Sequence, residues 1–463
     1  MKKNLKYLFA IVLLVIPAVC FAEEATITEN TIPQYIGATT FSEATNDSKK
    51  AYASTNANEA ALIVEGEQTS NINKCSVDKS GDGDSNSGLY GTNAGILVHY
   101  GAKLFITSGT IKTSSLYADG LIANGTGVIN TDGSSISTTG DYSNGIVIMN
   151  GATITSSNTN VTTTGKYSSA IKTNSGGGVM NITKGTYKTS GINSPVVYAQ
   201  ATNNISKAIL TSDKSTGIDI QGSGAVILDT VTLYDNNTDL SDNSDTYKNI
   251  YMYRTDSDIT SFGNATFLAT NSTINTQNGD TFFVTNTFGT ITLTTTNINN
   301  TKGDLLRVQK SKLGINGGNV TFNLDNEKVA GNIIVDNVST LQMVLSNGSV
   351  YQGTIDNANQ ASNVTLELDK DSIIVLTNDS YVDSLVDGDN TNANIYLNGH
   401  KLYVNGIEVN GNNGTYTGSL DNTVSSVSSI SRTAYFLILT AVLFVVAILF
   451  TFNKVKSNYN KQK

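Results

Sequence analysis

The chain has 463 residues, only 14% of them charged, with no tryptophan and a formal net charge of −9. Lys2, Lys3 and Lys6 lie at the start and Lys454, Lys456, Lys461 and Lys463 at the end, which leaves 22 basic residues against 38 acidic ones in between. Such a surface repels polyanions and argues against nucleic acid as a partner. Asn, Thr, Ser and Gly dominate the polar positions, a composition suited to short strands and tight turns rather than helices.

Taken in order, residues 1–22 read as a signal peptide: a basic start, an apolar run, then Cys20-Phe21-Ala22 with small residues at the cleavage positions. Val19 departs from the small residue that lipid attachment at Cys20 would want. Residues 23–60 are polar and weakly periodic, and are expected to cap the first rung of a stacked β structure that begins at Ala61.

Residues 61–409 carry the organising pattern. Ile96, Leu121, Ile146 and Ile171 recur at 25-residue steps, and Val197 comes after 26. Ile111, Ile136 and Val161 form a second column, and Tyr117, Tyr142, Tyr167 and Ile192 a third, all 25 apart. Three columns sharing one period mark fixed positions on a unit too small to bury its own apolar face, so the units must stack. Strand-like runs such as FITSGTIKTS and IVIMNGATITSS fill the intervals. A 24-residue beat takes over later, from Phe267 to Ile291, Ile274 to Ile298 and Phe282 to Leu306. The expected fold is all-β, a right-handed parallel β-helix of roughly 14 coils. The chain has three prolines, as a ladder needing nearly every N–H requires.

Two stretches break the beat. Residues 76–91 read as a loop in which Asp82, Asp84 and Asn86 have the spacing of a calcium loop, although Ser87 and Asn93 stand where glycine and glutamate belong. Residues 235–250 read as an insertion that projects from the solenoid. Residues 410–433 are a Gly/Asn/Ser/Thr stretch, flexible by composition. Residues 434–452 hold no charge and are long enough to span a bilayer as a C-terminal transmembrane helix. The basic tail 453–463 then places the C-terminus in the cytoplasm and the solenoid outside the cell, on a single-pass protein of the cell membrane.

Chemistry is sparse. The arginines are Arg254, Arg307 and Arg432, and the histidines are His99 and His400, near opposite ends of the solenoid. Arg307 reads as one outward residue of an alternating strand, and Cys75, the only cysteine beyond the leader, as a small core residue. Asn130-Thr131-Asp132-Gly133 is similar to the first motif of the polygalacturonase family, whose Asp is catalytic. The companion Asp-Asp, His-Gly and Arg-x-Lys motifs are missing, so Asp132 reads as a turn residue. No catalytic, cofactor-binding or metal site is assigned, and no cofactor is expected.

The blocks YGTNAGIL, YKNIYMY, FFVTNT, SYVDSL and LNGHKLYVNG resemble adhesin-like surface proteins of anaerobic microbes with a pectin-lyase-like fold. The resemblance covers Ala61 to Val409 and implies a secreted right-handed β-helix with a role in attachment. It also implies that His400 is a packing or turn residue. The expected function is a non-enzymatic, membrane-anchored adhesin-like protein whose β-helix presents a face to glycans or other cells. The alternative is a polysaccharide-acting lyase or glycosidase.

Overall fold

In the computed structural model, residues 34–174, 176–240, 246–255, 264–312 and 316–422 are described. The leader 1–22, the span 434–452 and the tail 453–463 lie outside them. Among the described residues no helix is long and apolar enough to cross a membrane.

Alternation decides the fold. In the strand Lys103–Thr107 the even residues Leu104 and Ile106 are buried while Lys103, Phe105 and Thr107 face out. A strand with one apolar face must lay it against another, and here each lies over its counterpart one coil earlier. The result is a parallel β-solenoid of about 14 turns, of the right-handed type. Strands of one face form a 12-stranded sheet, most strands of the other two faces join in a 22-stranded sheet, and the last coils add sheets of four and three strands. Ile96, Leu121, Ile146, Ile171, Val197 and Ile218 are consecutive Cα partners in the first sheet, each fully buried. Such a column contributes roughly 1.5–3 kcal/mol per side chain.

Buried backbone at the turns is satisfied by a second periodic device. The Ser143, Ser168, Ser194 and Ser215 hydroxyls accept from the N–H of Ala118, Ser143, Ser168 and Ser194, at 2.9–3.0 Å. Thr113, Thr138 and Thr163 donate to the carbonyls of Ala118, Ser143 and Ser168. Hydroxyl residues therefore recur for the same reason as apolar ones, since each coil repeats the same unpaired groups.

Three expectations change. The parallel ladder starts upstream of Ala61: Gly37–Phe41 pairs with Ala60–Val64, and Ala51–Ser54 with Ser76–Lys79. Much of the segment expected as a cap is thus a coil. Within 76–91, Ser76–Lys79 is a ladder strand, and Ser85–Tyr90 is a short helix, α1, capped by Asp84. The column Tyr117, Tyr142, Tyr167 continues at Asn193, not Ile192. All four have left-handed backbone, with φ of 53°, 56°, 55° and 49°. The extra residue enters before Val179, because Ile154 already pairs with Met180, 26 residues on.

Residues 410–422, composed like a free linker, lie against the solenoid. Asn422 donates to the Thr296 and Lys328 carbonyls at 2.9 Å and to the Glu327 carboxylate at 2.5 Å. Glu327 is fully buried and also accepts from the N–H of Thr296 and Lys328. Burial, opposed by these donors, pushes its pKa up to about 7 from an ordinary 4.5. A raised folded pKa stabilises below the unfolded value and is lost as pH rises through the folded one. Thermal stability should therefore decline between about pH 5 and about pH 8, and Glu327→Gln should flatten the decline. Melts of both forms across that range check it; an equal slope in the variant would place the titration elsewhere.

Candidate functional site

The outward face of the 12-stranded sheet changes character along its length. Register carries one outward column through Ile63, Leu97, Ile122 and Val147, then through Lys172, Tyr198, Asp219 and Tyr251. The first four are buried, forming a small second core outside the sheet with Ala60, Ala94, Met149 and Tyr35. The segment after α1 covers them: a Cβ on Gly91 would lie 2.7 Å from Ile122 Cδ1. At Lys172 the cover ends and a groove opens.

One wall of the groove is a tyrosine ladder. Tyr117, Tyr142 and Tyr167 stack with centroids 4.8 Å apart and interplanar angles of 20° and 8°. Stacking offsets the left-handed backbone that each ring residue must adopt. α1 closes the near end of the stack, where Gly88 allows contact, since a Cβ there would meet Tyr117 Cδ1 at 2.7 Å. The segment expected to project, 235–250, instead folds back over the far end. Asp239 Oδ2 accepts from Asn193 N at 2.7 Å, and Asn237 donates to the Lys248 carbonyl at 2.6 Å. Residues 241–245 of that insertion lie outside the described residues.

The floor holds the charge. Lys172 Nζ sits 5.7 Å from the Tyr198 ring centroid and makes no hydrogen bond or close ion pair among the described residues. Burial pushes the Lys172 pKa down, opposed by Asp119. Burial also pushes the Asp119 carboxyl up, opposed by the Lys172 charge and by Asn144. Asn144 donates to Asp119 Oδ1 from its backbone at 2.6 Å and its amide at 2.8 Å, and its own Oδ1 accepts from Ser169 N. The Tyr198 hydroxyl donates to Gln221, which also accepts from Gln200 at 3.1 Å. Two cavities of about 470 and 480 Å³ share Tyr142, Asn144, Tyr167, Lys172 and Tyr198, making one groove across these coils. Aromatic edges, amides, hydroxyls and one open ammonium suit a polar, ring-bearing ligand.

The residues weighed from sequence lie elsewhere. Asp132 ends a strand of the 22-stranded sheet and accepts from Asn158 at 2.7 Å. Asp82 accepts from Leu116 N, and Asp84 caps α1, where Asn86 also sits. Among the described residues no three His, Cys, Asp or Glu are grouped to hold a metal ion. His99 is buried between Tyr35 and Tyr100, 3.3 Å from Glu65, while His400 donates its N–H to Leu397 in the last coils. Arg307 is ion-paired with Asp280 and Asp304 at 2.6 Å. Arg254 is buried, Cys75 is a buried free thiol, and Arg432 lies outside the described residues. Sequence reasoning missed Lys172, Tyr198, Asp219 and Tyr251. Their signal was the change from continuous apolar runs, GILV and GIVIM, to alternating ones, AIKT and GIDI. No family model, curated protein or solved structure matches the chain, so the groove itself is what bears on function.

Proposed function

We propose that the chain is a membrane-anchored cell-surface protein, adhesin-like, whose β-helix binds glycans through the groove floored by Lys172, Tyr198, Asp219 and Tyr251. The observation that carries this is the convergence of stacked tyrosines, amides and an ammonium that makes no hydrogen bond or salt bridge among the described residues in one open groove. Sugars present hydroxyls for the amides and C–H faces for the rings, and the rigid coils hold both in place without an ordering cost. Individually weak contacts gain avidity when many copies are displayed on one surface. The resemblance to adhesin-like proteins and the uncharged stretch 434–452 support surface display.

The test is a glycan array probed with the full chain in detergent micelles, which should give selective binding to a subset of glycans. No binding across neutral, amino and acidic classes would overturn the reading. A second reading, a polysaccharide-acting lyase or glycosidase, is favoured by the buried Asp119 carboxyl, which burial pushes up against the opposing Lys172 charge and two hydrogen bonds from Asn144. Release of reducing ends or unsaturated products from the glycans that bind would establish that reading instead.

A further inference from the structure

The 22-stranded sheet carries a second concave surface that shares no residue with the tyrosine-walled groove. It encloses about 440 Å³. Two outward columns in register form it: Thr290, Thr321 and Gln342 in one, Phe288, Asn319 and Thr340 in the other. The Phe288 ring, 47% exposed, stands at its edge. The Thr290 and Thr321 hydroxyls and the Asn319 amide nitrogen have no hydrogen-bond partner among the described residues, although Asn319 Oδ1 accepts from Thr340 at 2.7 Å.

We propose that this surface is a second carbohydrate site, for a neutral, extended β-1,4-linked glycan lying along the solenoid axis. Charge selects the class. Among the described residues no lysine or arginine lines the surface, and the one carboxylate that does, Glu367, accepts from Gln342 at 2.9 Å. A polyanionic chain would find no counter-charge there. Spacing selects the shape. Coils repeat every ~4.8 Å along the axis, close to the advance per sugar of an extended β-1,4-linked chain. Successive sugars, which alternate in facing along such a chain, therefore lie one beside Thr290 and the next beside Thr321, and Phe288 offers a face for stacking at one end. A scaffold with two such sites on different sheets could hold two chains at once.

The site takes its ligand class from the glycan reading, and one experiment separates the fates of the two grooves. The full chain and the variants Phe288→Ala, Thr321→Val and Tyr198→Ala are titrated calorimetrically with hexasaccharides of β-1,4-linked glucose, mannose and N-acetylglucosamine. Thermal melts confirm that each variant is folded, and Thr321→Val removes a hydroxyl while keeping the side chain's shape. At least one hexasaccharide should bind, more tightly than its disaccharide. Phe288→Ala and Thr321→Val should each weaken it by about tenfold, while Tyr198→Ala leaves it unchanged. Loss of binding in Tyr198→Ala alone would overturn this site and leave the first groove standing. Failure of all three hexasaccharides to bind the unmodified chain would also overturn it, whatever the first groove binds.

Discussion

Gly165→Ala should unfold the middle coils, lowering stability by about 4 kcal/mol or more. A Cβ there would sit 1.8 Å from the Gly140 carbonyl oxygen and 2.4 Å from its carbon. Both are backbone atoms of the preceding coil, at a bend whose flanking residues Thr139 and Asp141 are hydrogen-bonded to Thr113 and Tyr117, so neither can rotate away. A Cβ on Gly140 would likewise lie 1.9 Å from Ser115 O, and one on Gly191 1.8 Å from Gly165 O. At no other described glycine would a Cβ come closer to the neighbouring coil. In a solenoid each coil is stabilised by its neighbours, so separating two exposes both of their apolar faces. Thermal and urea melts of the variant measure the loss. Gly125→Asn serves as the control: its φ is 61°, which Asn tolerates, and nothing lies within 4 Å of a Cβ there. A melt for Gly165→Ala as high as for the control would mean the coils are spaced more loosely than described.

Tyr198→Ala should weaken the glycan affinity of the first groove by about 10- to 100-fold while leaving the melt nearly unchanged. Tyr198 faces outward between two buried residues, Val197 and Ala199, so its ring is not part of the core. It lies between Lys172 and Asp219 in register, and its hydroxyl fixes Gln221, itself bonded to Gln200. Removing the ring deletes a stacking surface and loosens the amides beside it, two losses that combine at one ligand. Titration of variant and parent with a glycan selected on the array measures the change. Unaltered affinity would move the binding surface off this sheet.

The inward columns were legible because apolar residues recur wherever the cross-section does. Ile96 through Val197 and Phe267 with Ile291 pair as their spacing indicates. The tyrosine column leaves its 25-residue step after Tyr167, because a turn before Val179 gains a residue, and turns absorb insertions without disturbing the strands. The first groove was not legible from charges or motifs, since none of its residues belongs to a catalytic signature. It needed register, which shows Lys172 directly above Val147 and beyond the reach of the cover. The docked stretch 410–422 was illegible for a different reason. Asn422 is held by hydrogen bonds to buried carbonyls and a carboxylate, and polar composition alone reads the same whether such bonds form or not.

If this solenoid is a glycan-binding surface scaffold, as proposed, the deciding measurement is the glycan array with the full chain and Tyr198→Ala run side by side. The predicted result is selective binding by the full chain, with the glycans held in the first groove lost in the variant, neutral β-1,4-linked chains retained, and all of them recovered intact. Retention by the variant of every glycan that the full chain binds, no binding by the full chain, or glycans recovered as cleaved products would contradict it.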